Sequence, residues 1–583
     1  MPELKKALIL YSIDDARHCV SERLFEDHRL FSVHPGIDVY LRVEHGLECQ
    51  CLSRFISQDE AIAFCEQAEA AVDRLLAYLD ERVSAGLNRQ TGFQLKYFDA
   101  LYSYFGRYHL LAYICFYEAL KKMIAEYGLK SITFYNFKFD CFFEINMDVA
   151  EFAAGFFKDH ETRVIDSAGP ANKAAKVSGG GQIHSLVKTI KSSLRAAKAA
   201  LKKRPPIRRG AKNIFVDSPL YQLDFISGDL SRHNLIGLNE IEVSGSAGEA
   251  AVKIDFPDAG PVINGDKCLA ALYQDIREDF SKNCPQFLKT LVKLDRRHKE
   301  HPIALGLWGL PPNSGLKALV FAYLRSVGIK VVGAQHGASY GDSYEPWHFK
   351  SDFNRCDYFI SFGFTAADLA RLYPDRQLSA EILPFGKERA GASAAARKKI
   401  DLLFPITISR SLFCTGMSKM TPDSLVARQI KLLEYLDSLT GFDIYVKPAP
   451  NPSYDSCSVL PLFRRFNNLK LVDDRSLTAF LESYEPKGIL IECASTPLFD
   501  ALECDAEIFL MNDFMHPFEG QALAELKQRV HYSEDTGEMI STIDLFLKNG
   551  LAPKRDGTFA GHYMNKQNRE ENIRRFIGGL VAN

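Results

Sequence analysis

Short apolar runs rich in β-branched and aromatic residues recur along this chain between longer stretches of helical periodicity, and that alternation restricts the fold more than any other feature. The runs are ALILYS (7–12), DVYLRV (38–43), SITFYNF (131–137), TRVIDS (162–167), NIFVDS (213–218), IALGLWG (303–309), KVVGAQ (330–335) and YFISFG (358–363). A second series reads IDLLFPIT (400–407), FDIYVKPAP (442–450), LKLVDD (469–474), KGILIE (487–492) and AEIFLM (506–511). Strands separated by helices build βαβ units and a mainly parallel sheet. The expected class is α/β.

At 583 residues the chain exceeds the size one hydrophobic core serves. The small-residue, polar stretch GKERAGASAAARKK separates the two series, so 386–399 reads as a linker. Two Rossmann-like domains facing across a cleft are expected, 1–385 and 400–560. An amphipathic tail at 561–583 is expected to pack back on the first domain as a helix. Residues 60–125 have helical periodicity and many aromatics, which predicts a buried helical insertion over the first sheet, with an acceptor-binding groove as the less favoured reading.

With 46% hydrophobic and 25% charged residues the composition is that of an ordinary globular protein. The net charge of -2 gives no global attraction to nucleic acid. Thirteen cysteines, scattered and without a CxxC pair, fit reduced thiols in a cytoplasmic protein better than a disulfide framework or a zinc site. No apolar run approaches the ~20 residues of a membrane span, so any membrane contact is expected to be peripheral.

The charge is nonetheless polarised. Segment 167–216 holds twelve Lys or Arg and no acidic residue, and Leu186, Ile190, Leu194, Ala197 and Leu201 fall at helical spacing within it. A helix with that narrow apolar face beside a cationic one suits an anionic membrane surface through 186–212, at ~1 kcal/mol per basic residue near the surface. A solvated insertion over 168–212 is the alternative, and the absence of interleaved aromatics speaks against nucleic acid.

The block with most chemistry is KVVGAQHGASYGDSYEPWHFKSDFNRCDYFISFG (330–363). Gln335, His336 and Gly337 directly follow an apolar strand, which puts an imidazole at the carboxyl end of a parallel strand, where open α/β sheets bind ligands. Gly333, Gly337 and Gly341 would let backbone amides approach an anion, and His336 can act as acid, base or phosphate partner. Further on, strand ILIE ends at Glu492, and Ser495, Thr496 and Pro497 open the next helix. Two hydroxyls at a helix start suit an anion.

The run GAQHGASYG, with Glu345, the pair Ser351-Asp352 and YFISFG, resembles the QHG block of transferases that build bacterial capsule, lipopolysaccharide and O-antigen. These include the capsular Kdo transferases and, more distantly, the CDP-glycerol polymerases. LFPITISRS (403–411), VKPAPN (446–451), LVDDRSLTAFLES (471–483) and ILIECASTPLFDAL (489–502) resemble the donor half of the same family in order. The resemblance covers roughly 300–511. It implies a GT-B fold, a nucleotide-sugar donor, best a CMP-activated acidic sugar, no other cofactor, and a glycan or glycolipid acceptor. It further implies that Ser495 and Thr496 hold the donor phosphate, that Glu492 lies near the ribose or base, and that Lys447 and Arg410 neutralise phosphate charge. Ala449 departs from the Lys-Pro-His-Pro pattern of many relatives, so either His336 takes over the missing role, or the chemistry differs, or activity is lost.

Asp217, after strand NIFVD, and Asp14, after the first strand, are candidate carboxylates for a general base or nucleophile. No metal-ligand spacing appears, so metal-independent chemistry is expected. Three other readings remain open from the sequence: a CDP-polyol phosphotransferase, a sugar-nucleotide epimerase and a catalytically inactive assembly protein.

Overall fold

The computed structural model describes residues 5–135, 138–139, 147–148, 155–157, 160–165, 211–217, 220–241, 254–312, 315–338, 340–344, 347–387, 397–408, 421–449, 457–472, 476–512, 517–549, 551–564 and 568–582. The chain is an α/β protein whose parallel sheets form Rossmann-like domains. The first sheet has the order β3-β2-β1-β4-β7, from β1 Lys6–Leu10, β2 Arg29–Ser32, β3 Gln50–Cys51, β4 Ser131–Tyr135 and β7 Glu161–Ile165. Lys138–Phe139 (β5) and Met147–Asp148 (β6) form a small antiparallel pair beside it in sequence.

The second sheet runs β13-β12-β11-β10-β8-β9, from β8 Asn213–Asp217, β9 Asn234–Ile236, β10 Ile303–Trp308, β11 Lys330–Ala334, β12 Tyr358–Ser361 and β13 Glu381–Pro384. The third runs β16-β15-β14-β17-β18-β19, from β14 Lys398–Pro405, β15 Ile444–Lys447, β16 Leu469–Leu471, β17 Tyr484–Ile491, β18 Glu507–Met511 and β19 His531–Ser533. Its order is the one in which the topology reverses between the first and fourth strands, opening a crevice at their carboxyl ends.

Three sheets are one more than the sequence reading contained. The span expected as a single domain, 1–385, holds two separate sheets among the described residues, where β7 pairs with β4 alone while β8 pairs with β9 and β10. The chain between them is described only at 211–212, so nearly all of the basic insertion 168–212 lies outside the described residues, as does most of the linker at 388–396.

One expected strand is a helix. In DVYLRV, Pro35 and the His34 imidazole, whose Nδ1 accepts from Gly36 N at 3.0 Å, start a helix at Pro35–Tyr40 that runs into a π-turn at Leu41–His45. Proline at a first helical position with a side-chain cap ahead of it outweighs the β-propensity of Val39 and Tyr40.

Helices Gln58–Leu79 and Phe105–Tyr127 carry the aromatic stretch and pack on each other and on the 34-residue helix Lys267–Glu300. Ser57 and Glu60 close the first with a reciprocal capping box. Ion pairs tie this layer to the second sheet's unit: buried Arg107 meets Glu69 at 3.4 Å and Asp73 at 2.9 Å, Lys350 also pairs with Asp73, and Arg376 reaches Glu69 at 3.1 Å. The first sheet's unit touches the third as well, through Ser53 Oγ donating to Asp423 Oδ1 at 2.7 Å and Arg464 meeting Glu44 at 2.9 Å. The final helix, Arg569–Ala582, lays Ile573, Ile577 and Val581 on the face of the second sheet, against a cluster with Leu305, Leu307 and Val332.

Candidate functional site

The carboxyl ends of the second and third sheets meet across a cleft. β11 ends at Ala334 and delivers Gln335, His336 and Gly337; β17 ends at Ile491 and delivers Glu492 through Thr496. The loops approach closely, for a β-carbon on Gly337 would lie 3.4 Å from Thr496 Oγ1, with no other described residue beyond its chain neighbours within 4 Å. Behind this gap Phe362 and Phe499 face one another with ring centroids 6.4 Å apart.

His336 heads a polar relay. Its Nδ1 is 2.8 Å from the Tyr340 hydroxyl, which donates to Asp352 Oδ1 at 2.8 Å. A phenol has one proton, so once that proton goes to the carboxylate the hydroxyl accepts from His336, and Nδ1 carries the hydrogen. Nε2 is then the lone-pair nitrogen, and it has no hydrogen bond among the described residues. The ring is open on one side, with 31% of the side chain exposed, while protein surrounds the remainder. That burial pushes its pKa down to about 4, so the imidazole is neutral near pH 7. Asp352 is buried, accepts from Ser351 Oγ, and lies 3.8 Å from His336 Nδ1. His348 stacks on Tyr340 at 3.7 Å with the rings within 5° of parallel, which fixes the phenol. The arrangement orients a neutral base through a second group.

The neighbours of His336 have structural duties. Gln335 is buried, with Oε1 accepting from Phe362 N at 2.7 Å and Nε2 donating to Gly337 O at 2.7 Å. It shapes the loop instead of facing a ligand. Gly333 and Gly341 also differ from the expected role: a β-carbon would fall 2.1 Å from the Trp308 ring at Gly333 and 2.2 Å from Phe364 at Gly341, so both make room for aromatic rings. Gly337 is the one of the three that borders the cleft.

After β17 Ser495 and Thr496 begin the short helix Thr496–Leu502, and among the described residues Ser495 Oγ makes only a long 3.4 Å contact to Cys493 O. Glu492 departs from its expected place near a ribose. It is fully buried, accepts from Thr407 N and Gln429 Nε2 at 3.0 Å each, and lies 3.6 Å from Arg428 Nε. It braces β14 and the helix Pro422–Ser438 against the end of β17. Lys447, expected to neutralise phosphate charge, is buried, with its ammonium donating to Pro448 O at 2.9 Å. Arg410 lies outside the described residues.

Asp217 stands at the carboxyl end of β8, opposite Trp308, at the crevice where the second sheet's order reverses. Both its oxygens hold Lys317 Nζ, at 2.8 and 3.0 Å, and burial raises its pKa against the opposing effect of that lysine. Asp14 is not brought into contact with the His336 loop by any described interaction: it lies on the exposed first turn of Ile13–Ser21, pairs with Arg17 at 2.9 Å, and belongs to the first sheet's unit. Tyr340 and Asp352 were missed as a pair, although the four-residue spacing from His336 to Tyr340 was a local signal. Among the described residues no group of His, Cys, Asp and Glu is placed to hold a metal ion, all the described cysteines are free thiols, and no helix is long and apolar enough to cross a membrane.

No protein-family profile and no curated protein sequence matches the chain. Its structure is distantly similar to solved glycosyltransferases and to UDP-GlcNAc 2-epimerase. TarM aligns at 10% identity and TM-score 0.33, over 50% of this chain and 58% of TarM, so this chain spans little more than half of that protein. UDP-GlcNAc 2-epimerase from Methanocaldococcus jannaschii, in complex with UDP-GlcNAc and UDP, aligns at 12% identity and TM-score 0.36, over 63% of this chain and 99% of that one. A glycosyltransferase from Rickettsia africae aligns at 9% identity and TM-score 0.36, over 64% and 100%.

Proposed function

We propose that this chain is a glycosyltransferase that moves a sugar from a nucleotide-activated donor onto a glycan or glycolipid acceptor, with His336 as general base. The observation that carries the reading is that the loop bearing His336, whose Nε2 has no hydrogen bond among the described residues, comes against Thr496 at the next residue, Gly337. The acceptor hydroxyl gives its proton to Nε2 as its oxygen attacks the anomeric carbon. The bond from that carbon to the phosphate oxygen breaks, and the nucleotide leaves with its charge met by the Ser495 and Thr496 hydroxyls and nearby backbone amides. Tyr340 and Asp352 stabilise the imidazolium so formed. A single displacement of this kind inverts the anomeric configuration.

The resemblance of 330–363 and of the blocks between 403 and 502 to a family that includes Kdo transferases makes a CMP-linked acidic sugar the preferred donor, and the basic segment 186–212 would hold the enzyme on an anionic membrane surface. The test is to incubate the protein with CMP-Kdo and a bacterial glycolipid acceptor and follow release of CMP. Acceptor-dependent release, lowered 10²–10⁴-fold in His336→Asn, supports the reading. Release that needs no acceptor would favour an epimerase or hydrolase.

A further inference from the structure

A second hollow lies away from the His336 loop. A groove of 680 Å³ runs between helices Gln58–Leu79 and Ala85–Thr91 and the segment Gln94–Asp99, and Lys350 closes one side. A hollow of 240 Å³ continues it past Lys96 and Asp99 toward Arg355. The groove and the cleft stand back to back on one turn of chain, since Lys350 reaches into the groove toward Asp73 while Asp352 supports the His336 relay.

We infer that this groove is a second binding site, separate from the reacting centre, for an uncharged oligosaccharide. Its size is that of ligand sites in general. Its strongest charges are already committed to the protein. Asp80 accepts from Ser84 Oγ at 2.6 Å, Phe98 N at 2.9 Å and Asp99 N at 3.0 Å, and Asp73 pairs with Arg107 and Lys350. Arg355 spends its guanidinium on Lys350 O, Ala100 O and Ser103 Oγ.

What stays available to a ligand is mixed. Exposed Arg89 and Lys96 donate, exposed Glu81 and Asp99 accept, and the Gln94 amide does both. A polyphosphate or a metal ion calls for one sign of charge. Sugar hydroxyls both donate and accept, so a balanced rim suits them. Exposed Ala77 and half-buried Ala85 give the wall an apolar strip for the C–H face of a pyranose. The groove is also built in advance, because Asn88 clasps Leu95 through both backbone groups, at 2.9 and 3.1 Å, and Asp80 holds the start of the next helix. A preformed wall spares a ligand the cost of ordering it.

The inference goes beyond the transfer reading and stands whether or not a donor is turned over. The test is an array of neutral, acidic and phosphorylated oligosaccharides probed with the full chain. Neutral oligosaccharides should bind, and binding should weaken at least ~5-fold in Lys96→Ala and Gln94→Ala, both surface changes that leave the core intact. It should be indifferent to added CMP and to His336→Asn. No binding to any neutral oligosaccharide, a preference for the phosphorylated ones, or competition by CMP would each overturn the assignment, the last by moving the glycan into the cleft.

Discussion

Gly337 and Thr496 face each other with 3.4 Å from a would-be β-carbon to the threonine hydroxyl, an ordinary van der Waals contact that a single methyl group meets without strain. Gly337→Ala should therefore fold and bind nucleotide nearly as the parent does. Gly337→Leu should fold but lose at least ~10-fold in nucleotide affinity by filling the gap. Gly333→Ala provides the contrast, since its methyl would sit 2.1 Å from the Trp308 ring and overpacking of that kind costs about 1–3 kcal/mol or more. Thermal melts beside a binding assay separate the three.

Tyr340→Phe keeps the stacking on His348 and removes the hydroxyl that joins His336 to Asp352. Turnover should fall about 10–10²-fold with KM little changed, because the tautomer is no longer fixed and the imidazolium loses its support. Stability should fall by about 1–3 kcal/mol, the cost of leaving a buried acceptor without its donor. Unchanged turnover would remove the relay from the mechanism.

The pH dependence of His336 has a definite sign. Its pKa in the folded chain, about 4, lies below the ordinary 6.5, so between these values the unfolded chain binds the more protons. Stability should therefore fall as pH drops through that window, and His336→Asn should lessen the fall. The same shift keeps the base neutral well below pH 6.5, so the acid limb of kcat/KM should lie nearer pH 4 to 5 than 6.5, as a pH-rate profile would show.

Asp38 has the opposite sign. Burial lifts its pKa from 3.8 to about 7, with nearby Asp423 of the third sheet's unit adding to the rise, while Ser32 donates to it and partly offsets the shift. The folded chain holds this proton between those values and the unfolded chain does not, so stability falls as pH rises from ~4 to ~7. Asp38→Asn, which does not titrate, should gain on the parent by on the order of 2–3 kcal/mol between pH 5 and pH 8. Denaturant melts at the two pH values measure the difference.

The alternation of strands and helices was legible because strands buried on both faces read as continuous apolar runs, as in ALIL, IALGLW and GILI. How many sheets those strands make was not, since pairing of β8 with β10 and not with β7 is decided across almost a hundred residues. DVYLRV misled because Val39 and Tyr40 favour strands, while the deciding cap, His34 with Pro35, lies just before the run. His336 was visible as a polar group between glycines at a strand end. Glu492 and Lys447 looked alike in sequence, but the helix Pro422–Ser438 brings Arg428 and Gln429 over Glu492, a long-range packing that strand-end position does not encode. Asp352 became part of the site only through Tyr340, for the same reason.

The most direct test of a nucleotide-binding cleft is calorimetric titration of the full chain with CMP, CDP, UDP and GDP, repeated on Thr496→Ala. Selective binding of a cytidine nucleotide, weakened about 10-fold by the lost hydroxyl, is the predicted result. Binding of none of the four, or equal binding by Thr496→Ala, would contradict it.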